Sequence, residues 1–107
     1  MVTKLDLDQV KKIVKPFKAK LFSVGFDDAK VLLFGSWAKG LQQEWSDIDL
    51  CVISNKFSEN YYQDYIRLSL MAFKTNMAIQ PIPMKPNDFI DKYSTLVAEI
   101  KKYGVEV

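Results

Sequence analysis

Ten residues separate Gly35-Ser36, which closes the apolar run at 31–34, from the carboxylate pair of Asp47-Ile48-Asp49. On a strand, residues two apart point to the same face, so Asp47 and Asp49 share one side. Ile48, Leu50 and Val52 turn to the other, toward a core. Two neighbouring carboxylates repel, and a divalent cation is the natural counter-charge. Mg²⁺ in particular prefers carboxylates together with triphosphate oxygens and retained waters. Gly35 permits a tight turn and close backbone approach to a ligand. Ser36 adds a hydroxyl and an N–H where the start of a short helix attracts phosphate oxygens. Taken separately, Gly-Ser is a common turn and Asp-x-Asp is commonly a solvent-facing pair. Only in combination are they specific.

The rest of the composition narrows the chemistry. The chain has no histidine, which excludes His-based acid/base catalysis, Ser-His triads and His-ligated metals within it. Its one cysteine, Cys51, can form neither an internal disulfide nor a thiolate zinc cluster. Cys51 shares the face of the two aspartates and reads as an inert core thiol. Any metal must therefore be held by oxygen, which points to a hard ion. The formal charge of +2 is too slight to argue for direct nucleic-acid binding, and the lysines of residues 11–20 and 101–102 read as solvated helix faces.

The elements that position these residues follow from periodicity. Val10, Ile13, Val14, Phe17 and Leu21 recur at helical spacing and predict an amphipathic helix over residues 7–24, kinked or split at Pro16. Lys30–Phe34 and residues 46–54 read as strands. Ser58 is the expected cap of a helix over residues 59–74, with Tyr62, Ile66, Ser69, Leu70 and Phe73 along one side. Residues 77–84 look extended, and Pro81 and Pro83 place them near a sheet edge. Asn87 is expected to cap a last helix with Phe89, Tyr93, Leu96, Val97 and Ile100 on one face. Gly104 stops that helix, and residues 105–107 add a terminal strand. The expected fold is α/β (α+β), a small mixed sheet flanked by helices. Its 107 residues, apolar in 49 % of positions, read as a single domain over 1–107. No secretory leader or bilayer-spanning run is visible, so a cytoplasmic protein with no membrane association is the expectation.

The segment VLLFGSWAKGLQQEWSDIDLCVI resembles the signature of the DNA polymerase β-like nucleotidyltransferase superfamily. Within it, Ser46-Asp47-Ile48-Asp49-Leu50 is especially similar to the minimal nucleotidyltransferases, short bacterial and archaeal proteins often paired with HEPN-type toxins. The resemblance implies a nucleotidyltransferase fold and transfer of AMP from ATP to an acceptor hydroxyl with release of pyrophosphate. In the toxin-linked branch that acceptor is a tyrosine of the partner. By the same resemblance, Gly35 and Ser36 hold the triphosphate and Lys39 neutralises phosphate charge, although Lys39 reads equally well as a solvated lysine. Asp47 and Asp49 bind Mg²⁺ and take part in catalysis. Trp37 and Trp45 flank the turn and read first as boundary core residues, with base stacking as the alternative.

The family usually carries a third acidic residue on a following strand. Here the aligned position is Gln80, whose amide can offer a carbonyl oxygen to a metal but cannot accept a proton at neutral pH. Asp88 and Asp91 substitute for it only in another register. Two readings follow. One is an adenylyltransferase that modifies a partner protein, as the antitoxin of a HEPN pair. The other is a weakened relative that binds nucleotide or toxin without transfer. A domain this short has no separate acceptor-binding lobe, so the acceptor surface must come from a HEPN-type toxin or from a second copy of the chain.

Overall fold

The computed structural model describes residues 7–35 and 47–107. Helix α1 spans Leu7–Ser23 and buries Val10, Val14, Phe17 and Leu21. Each such side chain contributes about 1.5–3 kcal/mol of hydrophobic stabilisation when fully withdrawn from water. Pro16 does not split the helix. The ring is exposed, and so is Lys12 one turn earlier. On this exposed side of the helix water can satisfy the carbonyl that loses its partner N–H. Gly25 ends the turn beyond α1 with φ +106°, a left-handed conformation that favours glycine.

Strands β1 (Lys30–Phe34), β2 (Ile48–Ile53), β3 (Ile79–Met84) and β4 (Val105–Glu106) form one sheet in the order β3-β2-β1-β4. β1 is antiparallel to both β2 and β4, whereas β2 and β3 are parallel. A parallel pair needs a crossover. Helix α2, Tyr61–Thr75, provides it. The sheet is thus mixed and helix-flanked, as the sequence predicts.

Its two faces carry different cores. Val31, Leu33, Ile48, Leu50, Val52 and Ile79 face α1 and α2, where Phe17, Leu21, Leu68 and Ala72 close over them. The alternate residues Phe34, Cys51 and Ile53 pack under Ile100 of helix α3, Thr95–Tyr103. Ile48 donates to the Ala78 carbonyl and Ser54 to the Met84 carbonyl. With a period of two, the even-numbered residues of β3 turn toward β2, and Pro81 and Pro83 turn their nitrogens to the open edge, where no N–H is needed.

Three local expectations are corrected. Asn60, not Ser58, caps α2, its side chain accepting from the Gln63 N–H, while Ser58 reaches Asp64. Asn87 begins only a 3-10 turn, Asp88–Ile90, and makes no side-chain cap bond. Ser94 caps the last helix instead, so Tyr93 lies outside it and is exposed. The side of α2 bearing Tyr62, Ile66, Leu70 and Phe73 faces outward; the buried side consists of Asp64, Leu68 and Ala72. No helix among the described residues is long and apolar enough to cross a membrane.

Candidate active site

The sheet brings three of the sequence-predicted positions together. Antiparallel pairing sets Phe34 opposite Asp49, so Gly35 begins its turn beside that carboxylate. Gly35 has φ +75°, which L side chains rarely adopt. A Cβ placed there would lie 3.2 Å from Asp49 Cγ and would overlap Asp49 Oδ2. The missing side chain thus lets the carboxylate rest against the turn. On the other flank, the parallel ladder pairs Asp49 with Gln80. Directly paired residues share a face, so Gln80 lies on the Asp49 side of the sheet.

Asp47 is exposed just before β2, Ile48 is buried in the opposite core, and Asp49 is half-buried. Burial, then the negative charges of Asp47 and Glu99, hold the Asp49 carboxyl above its ordinary value of 3.8. Among the described residues no cation figures among the charges acting on it, and the ion pairs Lys56–Asp27 and Lys85–Glu59 lie elsewhere. Asp49 thus has two further carboxylates among the charges that act on it. Glu99 escaped the sequence reading because it is fifty positions along the chain from Asp49. Its one available signal was its place beside Ile100, the residue that packs α3 onto this face.

Gln80 is exposed, and its Nε2 donates to the Met77 carbonyl at 3.5 Å. Asp88 and Asp91 do not replace it. Both follow the far end of β3, where Asp88 accepts from the Lys85 N–H at 3.1 Å and Asp91 from the Tyr93 N–H at 2.9 Å. Cys51 is fully buried, its thiol directed to Met84 Sδ at 3.9 Å, and burial pushes its pKa up to about 12. It is no nucleophile at neutral pH. Ser36, Lys39, Trp37 and Trp45 lie outside the described residues.

The donor set suits a hard cation. Among the described residues no three His, Cys, Asp or Glu side chains gather as a complete metal cage. Asp47 and Asp49, if turned to a common ion, would supply a partial, all-oxygen shell of the kind that Mg²⁺ completes with phosphate oxygens and water.

Known proteins resemble this chain in sequence and in fold. The nucleotidyltransferase domain family matches residues 7–104. The Methanocaldococcus jannaschii protein named "Putative protein adenylyltransferase MJ0141" is 31 % identical over 105 residues, spanning 92 % of this chain and 99 % of that one. The crystal structure of a toxin–antitoxin with AMP-PNP superposes with TM-score 0.50 at 20 % identity, over 84 % of this chain and 68 % of that one. A mutant of the MntA-HpeT toxin–antitoxin gives TM-score 0.47 at 16 % identity, over 95 % and 72 %. With nearly its whole described length matched, this chain belongs to the nucleotidyltransferase domain family.

Proposed function

We propose that the chain is a metal-dependent protein adenylyltransferase that moves AMP from ATP to a hydroxyl on a partner protein. The observation that carries this reading is Asp49: half-buried, destabilised as an anion by Asp47 and Glu99, and seated against a left-handed glycine. A carboxylate kept where its charge is unfavourable is characteristic of a site that awaits a cation. Asp47 and Asp49 would hold Mg²⁺, which when bound supplies charge stabilisation to the phosphates. Gly35 and Ser36 would cradle the triphosphate through their backbone, and Lys39 would add positive charge.

In the reaction, the acceptor hydroxyl oxygen bonds to the α-phosphorus of ATP and the bond to the pyrophosphate oxygen breaks. The hydroxyl proton must go to a base. Gln80, the third member we assign to the catalytic group, orients groups by hydrogen bonding but takes no proton. The proton then passes to water, and the rate forgoes the roughly 10²–10⁴-fold that a positioned base contributes. This departure also favours a second reading, a nucleotide- or toxin-binding protein with little transfer activity.

Support for a protein acceptor comes from the name of the archaeal relative, and support for ATP from the AMP-PNP in the toxin–antitoxin of like fold. We infer a HEPN-type toxin as the acceptor, with a second copy of this chain as the alternative, reacting in the cytoplasm where ATP and Mg²⁺ are plentiful. The test is calorimetry of ATP with and without Mg²⁺, followed by transfer of label from α-³²P ATP to the product of the neighbouring gene. Equal ATP binding with and without metal rejects the metal-dependent site. Binding without transfer leaves the second reading.

A further inference from the structure

The outer face of α2 is apolar where a surface helix is ordinarily polar. Tyr62 is 76 % exposed, Phe73 64 % and Met77 just beyond the helix 69 %, with Ile66 and Leu70 more than half exposed between them. At about 100° per residue the four helical positions fall on one stripe, opposite the buried Leu68 and Ala72, and Met77 follows the helix end. Large side chains present roughly 150–250 Å² each, so the stripe exposes on the order of 500 Å², at the upper end of what monomers leave uncovered.

The two borders of the stripe differ. Gln63, Arg67 and Lys74 follow on the flank toward α1, where the Arg67 guanidinium lies 5.2 Å from the Phe26 ring centroid. The only acid in α2, Asp64, is buried and bonded to Ser58. This flank is therefore basic with no acid in the helix to balance it. The other border, through Tyr65 and Ser69, descends into a hollow of about 270 Å³ that ends at Gln80 and Pro81 of the edge strand. Gln80 is the ladder neighbour of Asp49. Adjacent strands lie about 4.8 Å apart, so a body seated in the hollow reaches the flank of the candidate active site.

We propose that this face docks the acceptor protein through an amphipathic helix, apolar along the contact and acidic along the edge that meets Arg67 and Lys74. Charge decides against a second copy of this chain as occupant. Two α2 faces brought together would gather Arg67 and Lys74 from both copies with no α2 carboxylate to meet them, and like charges at an interface are costly. A partner with an acidic rim satisfies both cations and leaves the apolar stripe to supply the contact energy. The protein nature of the acceptor rests on the reading above; the site and its charge preference rest on α2 itself.

The experiment uses two labelled helix-forming peptides with the same leucine stripe, one edged with glutamate and one with lysine. Fluorescence anisotropy with the full chain should show the glutamate peptide binding at least tenfold more tightly and weakening with added salt. Ile66→Asp should abolish that binding, and Arg67→Glu with Lys74→Glu should transfer the preference to the lysine peptide. Circular dichroism should show all variants folded, since the replaced side chains are exposed. ATP binding by Ile66→Asp should match wild type, which separates loss of docking from failure of the nucleotide site. Equal binding of the two peptides, binding of neither, or a dimer in sedimentation that Ile66→Asp dissolves would each overturn the proposal.

Discussion

Gly35 and Asp49 occupy each other's space: the carboxylate of Asp49 stands where a Cβ on Gly35 would be, its Cγ 3.2 Å from that position. Two independent constraints therefore hold residue 35 to glycine, the left-handed φ of +75° and the overlap. Gly35→Ala should cost about 1–2 kcal/mol from the backbone conformation alone and should also displace Asp49. The expected result is a lower Tm together with weakened Mg²⁺-dependent ATP binding by calorimetry. A variant with wild-type affinity would show that Asp49 need not rest against this turn.

Asp49 also predicts a conflict between stability and function. Its folded pKa is raised above 3.8 by burial, Asp47 and Glu99. As pH rises through 3.8 the unfolded chain loses the proton first, and the folded state is increasingly disfavoured until the higher folded value is passed. At neutral pH without metal the ionised group therefore opposes folding. Asp49→Asn should raise Tm of the metal-free protein by roughly 2–4 °C, a modest gain because water screens the half-exposed group. It should also remove the Mg²⁺ dependence of ATP binding. A fall in Tm measured by calorimetry would contradict the charge argument.

Asp28 has the opposite sign. It accepts from Ser54 Oγ at 2.6 Å and from the Asn55 N–H at 2.8 Å, tying the turn before β1 to the end of β2. The Ser54 bond, opposed in part by desolvation and aided by Asn55, holds its pKa below 3.8. Its contribution is complete above pH 3.8 and is lost as pH falls through the lower folded value. Asp28→Ala should melt below wild type at pH 7, and the difference should close progressively below pH 3.8. Parallel acid limbs for the two proteins would remove Asp28 from the acid response.

What the sequence revealed and concealed divides by the range of the interaction. Strand β1 was legible to the residue because an abrupt aliphatic run ends at Gly35, and the shared face of Asp49 and Cys51 in β2 follows from alternation alone. The continuity of α1 through Pro16 was not legible, since solvent access at the freed carbonyl is a tertiary fact. The α2 stripe shows the limit of the same signal. Tyr62, Ile66, Leu70 and Phe73 have the period of a core face, yet the core takes the narrower set Leu68 and Ala72. Hydrophobic periodicity identifies a helix and a sticky side without saying which side the sheet will cover. Glu99 reaches the site only through the packing of α3, which local pattern cannot foresee.

Gln80 yields the most discriminating prediction, because the ladder places it beside Asp49 while its chemistry denies it a proton. Its amide now donates to the Met77 carbonyl at 3.5 Å, a long contact on an exposed edge that a rotation of the side chain breaks at little cost. Gln80→Glu cannot keep that donation, and its carboxylate is free to turn along the shared face toward Asp49 and any cation held there. Transfer of labelled AMP to the acceptor should therefore rise, within the 10²–10⁴-fold range of a general base and nearer about 10²-fold because the surroundings accommodate an amide. Without metal the same change adds a third negative charge beside Asp49, so ATP binding in the absence of Mg²⁺ should weaken. Gln80→Ala separates position from chemistry: if the amide merely orients an acceptor or a water, alanine lowers transfer below wild type while glutamate raises it. Measuring the three proteins side by side with the same acceptor is decisive. Identical rates would place Gln80 outside the catalytic group, whereas a rise confined to the glutamate variant would establish β3 as the strand on which the missing base belongs.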